Sequence, residues 1–293
     1  MRILLAGATG FLGSALLRRF LAHKYQVSIL VRKRSSFSRI QDLINKLDLV
    51  DYEHVGLGLN LTGYDAVINT ACCYGRNGES MAELMEANVI FALNLLNSCC
   101  EYQVPFINTG SFLNPHVSGY ALSKNQLEQW MDFASDRCKT VTVKLDHMYG
   151  PGDDELKFAG MLLNSFESKE NELKLTKGDQ TRDFIYIDDV TDLILIITQK
   201  LDVIDDRTVI EVGSQRETRV KDFVLMLRDI WERESGQVST IKINFGALPY
   251  RENEEMRTLI GPVSIAGETW KAKMPLEEGL VNYVKWYLRD DHR

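Results

Sequence analysis

The first thirteen residues constrain this chain most. Arg2-Ile-Leu-Leu-Ala6 is a short apolar run with the length of a buried strand, and Gly7-Ala-Thr-Gly10-Phe-Leu-Gly13 follows it directly before an apolar-periodic stretch through Phe20. Strand, glycine turn and helix in that order suit a pyrophosphate. Small residues let the backbone approach it, the free amides and positive dipole of the helix N-terminus stabilise it, and Gly13 permits close packing of helix on strand. An ordinary tight turn is the competing reading, and the presence of both flanking elements counts against it. Gly7, Thr9, Gly10, Phe11, Leu12 and Gly13 are therefore candidate dinucleotide-binding positions.

The next apolar run, Gln26-Val-Ser-Ile-Leu-Val31, ends in Arg32-Lys33-Arg34, where an NAD-specific site places an acidic residue on the ribose hydroxyls. No carboxylate stands there. Guanidinium groups bind phosphate through a planar pair of donors, so the cluster predicts NADPH (NADP) through its 2'-phosphate, with a solvated charged loop as the alternative.

Farther on, the pattern predicts a polar helix at 36–47, strands at 50–55 and 66–70, and a long amphipathic stretch at 80–101. A strand at 104–109, the helix carrying Tyr120 and a strand at 140–145 follow. Such alternation implies an α/β chain with a Rossmann-type, doubly wound parallel sheet, whose ligands collect beyond the C-terminal strand ends. From Gly150-Pro-Gly152 the order loosens, with a charged stretch at 167–172 and a loop at 177–183. Residues 1–150 are thus expected to form the NADP-binding domain and 151–293 mainly a smaller C-terminal substrate-binding lobe. Stretches 184–186 and 209–212 are candidates to return to the main sheet.

With 293 residues, 45% of them hydrophobic, the chain can bury a large core. A net charge of -7 argues against nucleic-acid binding, which leaves a basic footprint. No apolar run approaches the roughly 18 residues of a membrane span, and no cleavable signal pattern opens the chain, so a cytoplasmic address is expected. Cys72, Cys73, Cys99, Cys100 and Cys138 are odd in number. Neither adjacent pair has the two-residue spacer of a zinc site or a nearby His, so they are expected to be reduced core residues and no metal is predicted.

Tyr120 and Lys124, in Gly119-Tyr-Ala-Leu-Ser-Lys124, lie one helical turn apart and share a helix face. An ammonium beside a phenol favours the phenolate, lowering a pKa otherwise near ~10 toward that of a working acid or base. Thr109-Gly-Ser111 brings hydroxyls to the end of the preceding strand. With Gly7-x-x-Gly10-x-x-Gly13 and Tyr120-x-x-x-Lys124, the chain resembles the extended short-chain dehydrogenase/reductases of the NAD-dependent epimerase/dehydratase family, whose members modify nucleotide-linked sugars. Asn88-Val, Met148-Tyr-Gly-Pro151, Arg182-Asp-Phe-Ile-Tyr-Ile-Asp-Asp-Val190 and Glu277-Glu-Gly-Leu280 fall in the family's order.

That resemblance implies that Tyr120 exchanges the proton at the reacting oxygen. It further implies that Lys124 lowers the phenol's pKa and holds the nicotinamide ribose, and that Ser111 binds the substrate oxygen, with Thr109 as its competitor. It extends the cofactor set to Ala71 and Asn88, and names Arg76, Ser111, His147 and Arg182 as substrate-binding candidates. For Arg182 the implied ligand is the substrate's diphosphate, the alternative a surface salt bridge to Asp183 or Asp179. Two departures stand out: only eight residues separate Ser111 from Tyr120, shortening a lid, and His147 replaces a frequent Asn.

The runs Ala71-Cys-Cys-Tyr-Gly-Arg76, Ile107-Asn-Thr-Gly-Ser111, Lys144-Leu-Asp-His-Met-Tyr-Gly150 and Thr181-Arg-Asp-Phe-Ile185 resemble the family's paratose- and abequose-forming branch. The resemblance implies NADPH-dependent reduction of the C4 ketone of a CDP-linked 4-keto-3,6-dideoxyhexose, for bacterial O-antigen. The rivals are an epimerase or dehydratase with tightly bound NAD, a reductase of a dTDP-4-keto-6-deoxyhexose, and a non-enzymatic dinucleotide-binding protein. The family's habit also implies a homodimer through helices near 80–101 and 120–137.

Overall fold

Ile3, Leu4, Leu5 and Ala6 are all buried, as a strand covered on both faces requires, and the glycine turn lets the chain reverse at once into a helix. The computed structural model describes residues 1–168 and 171–289, so Lys169 and Glu170 of the charged stretch lie outside the described residues. The strands are β1 (Arg2–Ala6), β2 (Gln26–Val31), β3 (Asp48–Asp51), β4 (Ala66–Asn69), β5 (Phe106–Ser111), β6 (Thr140–Leu145), β7 (His147–Tyr149), β8 (Glu172–Leu175), β9 (Thr181–Tyr186), β10 (Arg207–Val212), β11 (Glu217–Arg219), β12 (Lys242–Phe245), β13 (Val263–Ile265) and β14 (Glu268–Trp270). The helices are α1 (Phe11–Ala22), α2 (Met81–Met85), α3 (Phe91–Tyr102), α4 (Gly119–Phe133), α5 (Phe158–Glu167), α6 (Ile187–Gln199), α7 (Val220–Ser235) and α8 (Leu276–Tyr287).

Two compact units result. One comprises 1–145, 191–212 and 263–270, the other 146–190, 213–262 and 271–293. The first holds a seven-stranded sheet in the order β10-β6-β5-β4-β1-β2-β3, parallel throughout. Strand order reverses between β1 and β4, which opens a crevice at their C-terminal ends. This is the α/β Rossmann-type fold expected from the alternation of elements. Its core packs Leu4, Ala6, Val67 and Phe106 of the sheet against Phe91, Leu95, Leu96 and Cys99 of α3 and Leu127 and Met131 of α4. The positions 91, 95 and 99 recur at helical spacing, so one stripe of α3 faces the sheet.

The second unit contains a three-stranded sheet, β11-β9-β7, and the pair β12-β8. The stretch 209–212 joins the main sheet within β10, whereas 184–186 belongs to β9 and does not. The polar helix expected at 36–47 is replaced by two short 3-10 turns, because only Ile40 there is buried and no apolar stripe supports a longer helix. Pairing with β2 fixes the third strand at 48–51 rather than 50–55. Cys99, Cys100 and Cys138 are core residues as expected, while Cys72 and Cys73 lie half-buried in the loop after β4. No helix among the described residues is long and apolar enough to cross a membrane.

Candidate active site

At the crevice, Gly7 adopts a φ of +82°, and a Cβ there would lie 2.5 Å from the Ala71 amide nitrogen. A Cβ on Gly13 would overlap the Gly7 carbonyl oxygen. The Gly10 amide donates to that same oxygen at 2.9 Å, closing the turn. Gly10 then caps α1 without a side-chain hydrogen bond, and the first helical turn carries no acidic residue. Backbone and uncapped amides therefore line a cradle suited to a pyrophosphate. Phe11 and Leu12 bury their side chains, and Thr9 is half-buried. Thr70 donates its hydroxyl to the Ala6 carbonyl at 2.8 Å, tying the ends of β1 and β4.

Ser118 caps α4 by accepting the Ala121 amide at 3.1 Å, which starts the helix just before Tyr120. Ser111 is the last residue of β5, and its hydroxyl lies beside the Tyr120 phenol and acts to lower its pKa. Thr109 instead donates to the Asn69 carbonyl at 3.2 Å, so the structure brings Ser111 and not Thr109 to Tyr120. Lys124 is 3% exposed, and its Nζ has no hydrogen-bond partner among the described residues. A buried donor without a hydrogen-bond partner is costly, and a polar ligand lodged against it would relieve that cost.

The electrostatic expectation for this pair is corrected. Burial raises the Tyr120 phenol, the nearby Cys72 adds to the rise, and Ser111 and Arg76 oppose it. Burial also lowers Lys124, so the ammonium loses the advantage expected of it from spacing alone.

The loop after β4 reaches the same place. The rings of Tyr74 and Tyr120 lie 4.9 Å apart, and the Arg76 guanidinium sits 4.8 Å from the Tyr74 centroid. Asn88 and Ala71, expected to hold cofactor, have partners of their own. The Asn88 side chain accepts from the Cys73 amide at 2.7 Å and donates to the Cys73 carbonyl at 2.8 Å and to Ser123 at 2.9 Å. The Ala71 amide donates to Asn69 Oδ1 at 3.2 Å. Asn88 thus acts as a clamp on the loop, from within a π-helical turn at Glu86–Ile90. Tyr74 and Cys72 were legible only as members of a run, because ring contact with Tyr120 depends on how the loop folds back.

Within the second unit, His147 Nδ1 and Asp146 Oδ1 are 2.7 Å apart, and the other Asp146 oxygen accepts the Asp183 amide at 3.2 Å. Neither Asp183 nor Asp179 is the ion-pair partner observed for Arg182. Its guanidinium donates to the Thr181 and Glu255 carbonyls at 2.7 Å and forms an ion pair with Glu254, which is buried enough to exclude a surface role. Asp183 is fully buried and accepts from the Ser214 amide and hydroxyl at 2.6 Å and the Gln215 amide at 3.0 Å.

Residues 3–213 match the model of the NAD dependent epimerase/dehydratase family. The chain belongs to that family. It is accordingly an NAD(P)-dependent oxidoreductase. Among curated relatives, CDP-abequose synthase of Salmonella typhimurium is 26% identical, with 97% of each chain covered. Two solved members of similar fold are UDP-glucose 4-epimerase of Thermotoga maritima with UDP-glucose (TM-score 0.80, 21% identity, 98% of each chain) and UDP-glucuronic acid 4-epimerase of Bacillus cereus with UDP-glucuronic acid and NAD (TM-score 0.79, 21% identity, 98% of each chain).

These findings overturn the expectation of NADPH: the family is NAD dependent, and NAD is the dinucleotide in the solved relative. Geometry supplies the physical reason. Arg32, Lys33 and Arg34 are not an uncompensated cluster, because parallel pairing sets Asp51 beside Val31 and Glu53 reaches Lys33 at 2.6 Å. The missing carboxylates come from the end of β3 and the 3-10 turn that follows it, where inspection of a single strand end does not find them.

Proposed function

We propose that this family member uses NAD to move a hydride, and Tyr120 to move a proton, at C4 of a hexose linked to a nucleoside diphosphate, in the manner of a 4-epimerase that retains its dinucleotide. The observation that carries this reading is Ser111 beside the Tyr120 phenol, one helical turn from a buried Lys124 whose Nζ has no hydrogen-bond partner among the described residues. In it, the amides around Gly7 to Gly13 bind the pyrophosphate and Lys124 binds the nicotinamide ribose. NAD, when bound, supplies the hydride acceptor and donor. Ser111 holds the reacting oxygen, and Tyr120 takes its proton on oxidation and returns one on reduction. Lodging a polar ligand against Lys124 also relieves the unmet hydrogen-bonding of its ammonium.

A second reading is supported by the curated relatives named CDP-abequose synthase: net reduction of a CDP-linked 4-keto-3,6-dideoxyhexose by the same residues. The two differ in stoichiometry. The protein, purified without added dinucleotide, is denatured and the released nucleotide identified by mass. Separate assays then supply UDP-glucose, CDP-4-keto-3,6-dideoxyglucose and dTDP-4-keto-6-deoxyglucose with NADH. Released NAD and an epimerised product without net NADH loss support the first reading; NADH oxidation matched to CDP-sugar consumption supports the second. Preference for the dTDP sugar keeps the chemistry and changes the nucleotide, and inertness toward all three defeats both. Tyr120→Phe is expected to lower turnover by about 10²–10⁴-fold while NAD is still retained.

A further inference from the structure

We infer that Arg76 and Tyr74 are a positioning pair for Tyr120: a cation over a ring that packs at a tilt against the proton-transferring phenol, supplied by the loop after β4. The inference rests on the reading that Tyr120 exchanges the proton. Its geometry is a chain of contacts, with Arg76 4.8 Å from the Tyr74 centroid and the Tyr74 and Tyr120 centroids 4.9 Å apart, their planes tilted by 35°. Guanidinium groups favour aromatic faces because the ring quadrupole is negative there, and paired rings in contact restrict each other's orientation.

The loop is built to hold this arrangement. Gly75 has a φ of +72°, a conformation side-chain-bearing residues rarely adopt, and this turn sets Arg76 back over the preceding ring. Asn88 grips the backbone of Cys73 on both sides, through its amide and its carbonyl. The same side chain donates to Ser123, whose hydroxyl donates to the Tyr120 carbonyl at 2.8 Å. One asparagine therefore anchors both the loop that carries Tyr74 and the helix that carries Tyr120. A contact formed by chance between two loose surfaces would not share a buried anchor.

The charged and titratable groups around Tyr120 are Cys72, Tyr74 and Arg76 from the loop, Ser111 from β5 and Lys124 from its own helix. Among them, Arg76 acts to lower the phenol, whereas burial lowers Lys124 itself. The loop cation takes over part of the task that spacing assigns to the helical one. Arg76 does so through its charge, while Tyr74 fixes where that charge and the phenol sit.

The test compares Arg76→Gln, Arg76→Lys, Tyr74→Leu and Tyr120→Phe in full-length protein by the pH dependence of turnover. Arg76→Gln is expected to raise the pH at which the Tyr120 phenol acts by about one unit, roughly tenfold in its ionisation constant, with Arg76→Lys restoring most of it, while Tyr74→Leu is expected to lower kcat through lost orientation of the phenol. In turnover, Arg76→Gln should move the limb governed by the phenol upward by the same amount and lower kcat about tenfold at neutral pH, with KM changed far less. Arg76 is exposed, so its replacement keeps the test valid even if Tyr74→Leu fails to fold. An unmoved limb in Arg76→Gln overturns the inference, and an unmoved limb with a raised KM would make Arg76 a substrate ligand. Full turnover by Tyr120→Phe would instead defeat the reading of Tyr120 itself, a result distinct from either.

Discussion

Gly13 is where the cofactor cradle is least forgiving. A methyl group there would run into the Gly7 carbonyl, which is backbone and cannot swing aside. Gly13→Ala is expected to cost about 1–3 kcal/mol of stability and to lose retained NAD, checked by urea unfolding and by mass analysis of the released nucleotide. Asp183 makes a prediction of another kind. Burial raises its carboxyl above the ordinary 3.8, against the opposing hydrogen bonds from Ser214, Gln215 and Ile260. The folded chain thus holds this proton to higher pH than the unfolded chain. Its contribution to stability is complete below 3.8 and is lost as pH rises through the raised native value. Asp183→Asn should flatten that part of the stability profile and cost about 1–3 kcal/mol through the mismatched Gln215 amide, measured by urea unfolding across pH; an unchanged slope would refute it. Residues fixed by local chemistry, such as Gly7, Gly13 and the Tyr120–Lys124 turn, were readable in the sequence. Arg182 was not, because its partner Glu254 lies 72 residues away in a charged stretch with no periodicity.

The segment from Ser80 to Tyr102 shows how elements place a site. Ser80 and Glu83 satisfy each other's backbone amides in a capping box that starts α2, and a π-helical turn then presents Asn88 before α3 begins. The amphipathic pattern at 80–101 announced a helix but not the π turn, since one extra residue in a turn leaves the apolar stripe nearly intact. Similarly, β5 was expected to stop at 109 and runs to Ser111, because pairing with β6 continues through Leu145. Ser80→Ala is expected to cost about 1 kcal/mol with little effect on the site. Asn88→Ala should cost about 1–3 kcal/mol and also release the Cys73 loop, seen as faster amide hydrogen exchange at residues 72–76. If exchange there is unchanged, the clamp assigned to Asn88 is not its role.

At the scale of the molecule, α2 and α4 leave Met81, Leu122, Trp130 and Phe133 exposed to different degrees, with Phe133 at 72%. An expected homodimer would cover them, and Phe133→Glu should then shift sedimentation from dimer to monomer, while a wild-type protein that sediments only as monomer removes the expectation. The seven-stranded sheet was legible from alternating elements, and of the two stretches that were candidates to return to it, 209–212 does so and 184–186 does not: β10 is supplied from residues 207–212, long after β6 ends at 145. That interval matters while the chain is being made. Six parallel strands can gather from the first half of the polypeptide emerging from the ribosome, yet Val141 and Val143 remain on an open edge until β10 arrives, and the β13–β14 hairpin that packs beside β10 comes later still. A nascent sheet with an unfinished border is exposed to wrong partners for as long as translation lasts. A ribosome stalled near residue 150 would therefore release a sheet that other chains can extend, and the late return of the polypeptide to its own first fold is the step at which synthesis becomes safe.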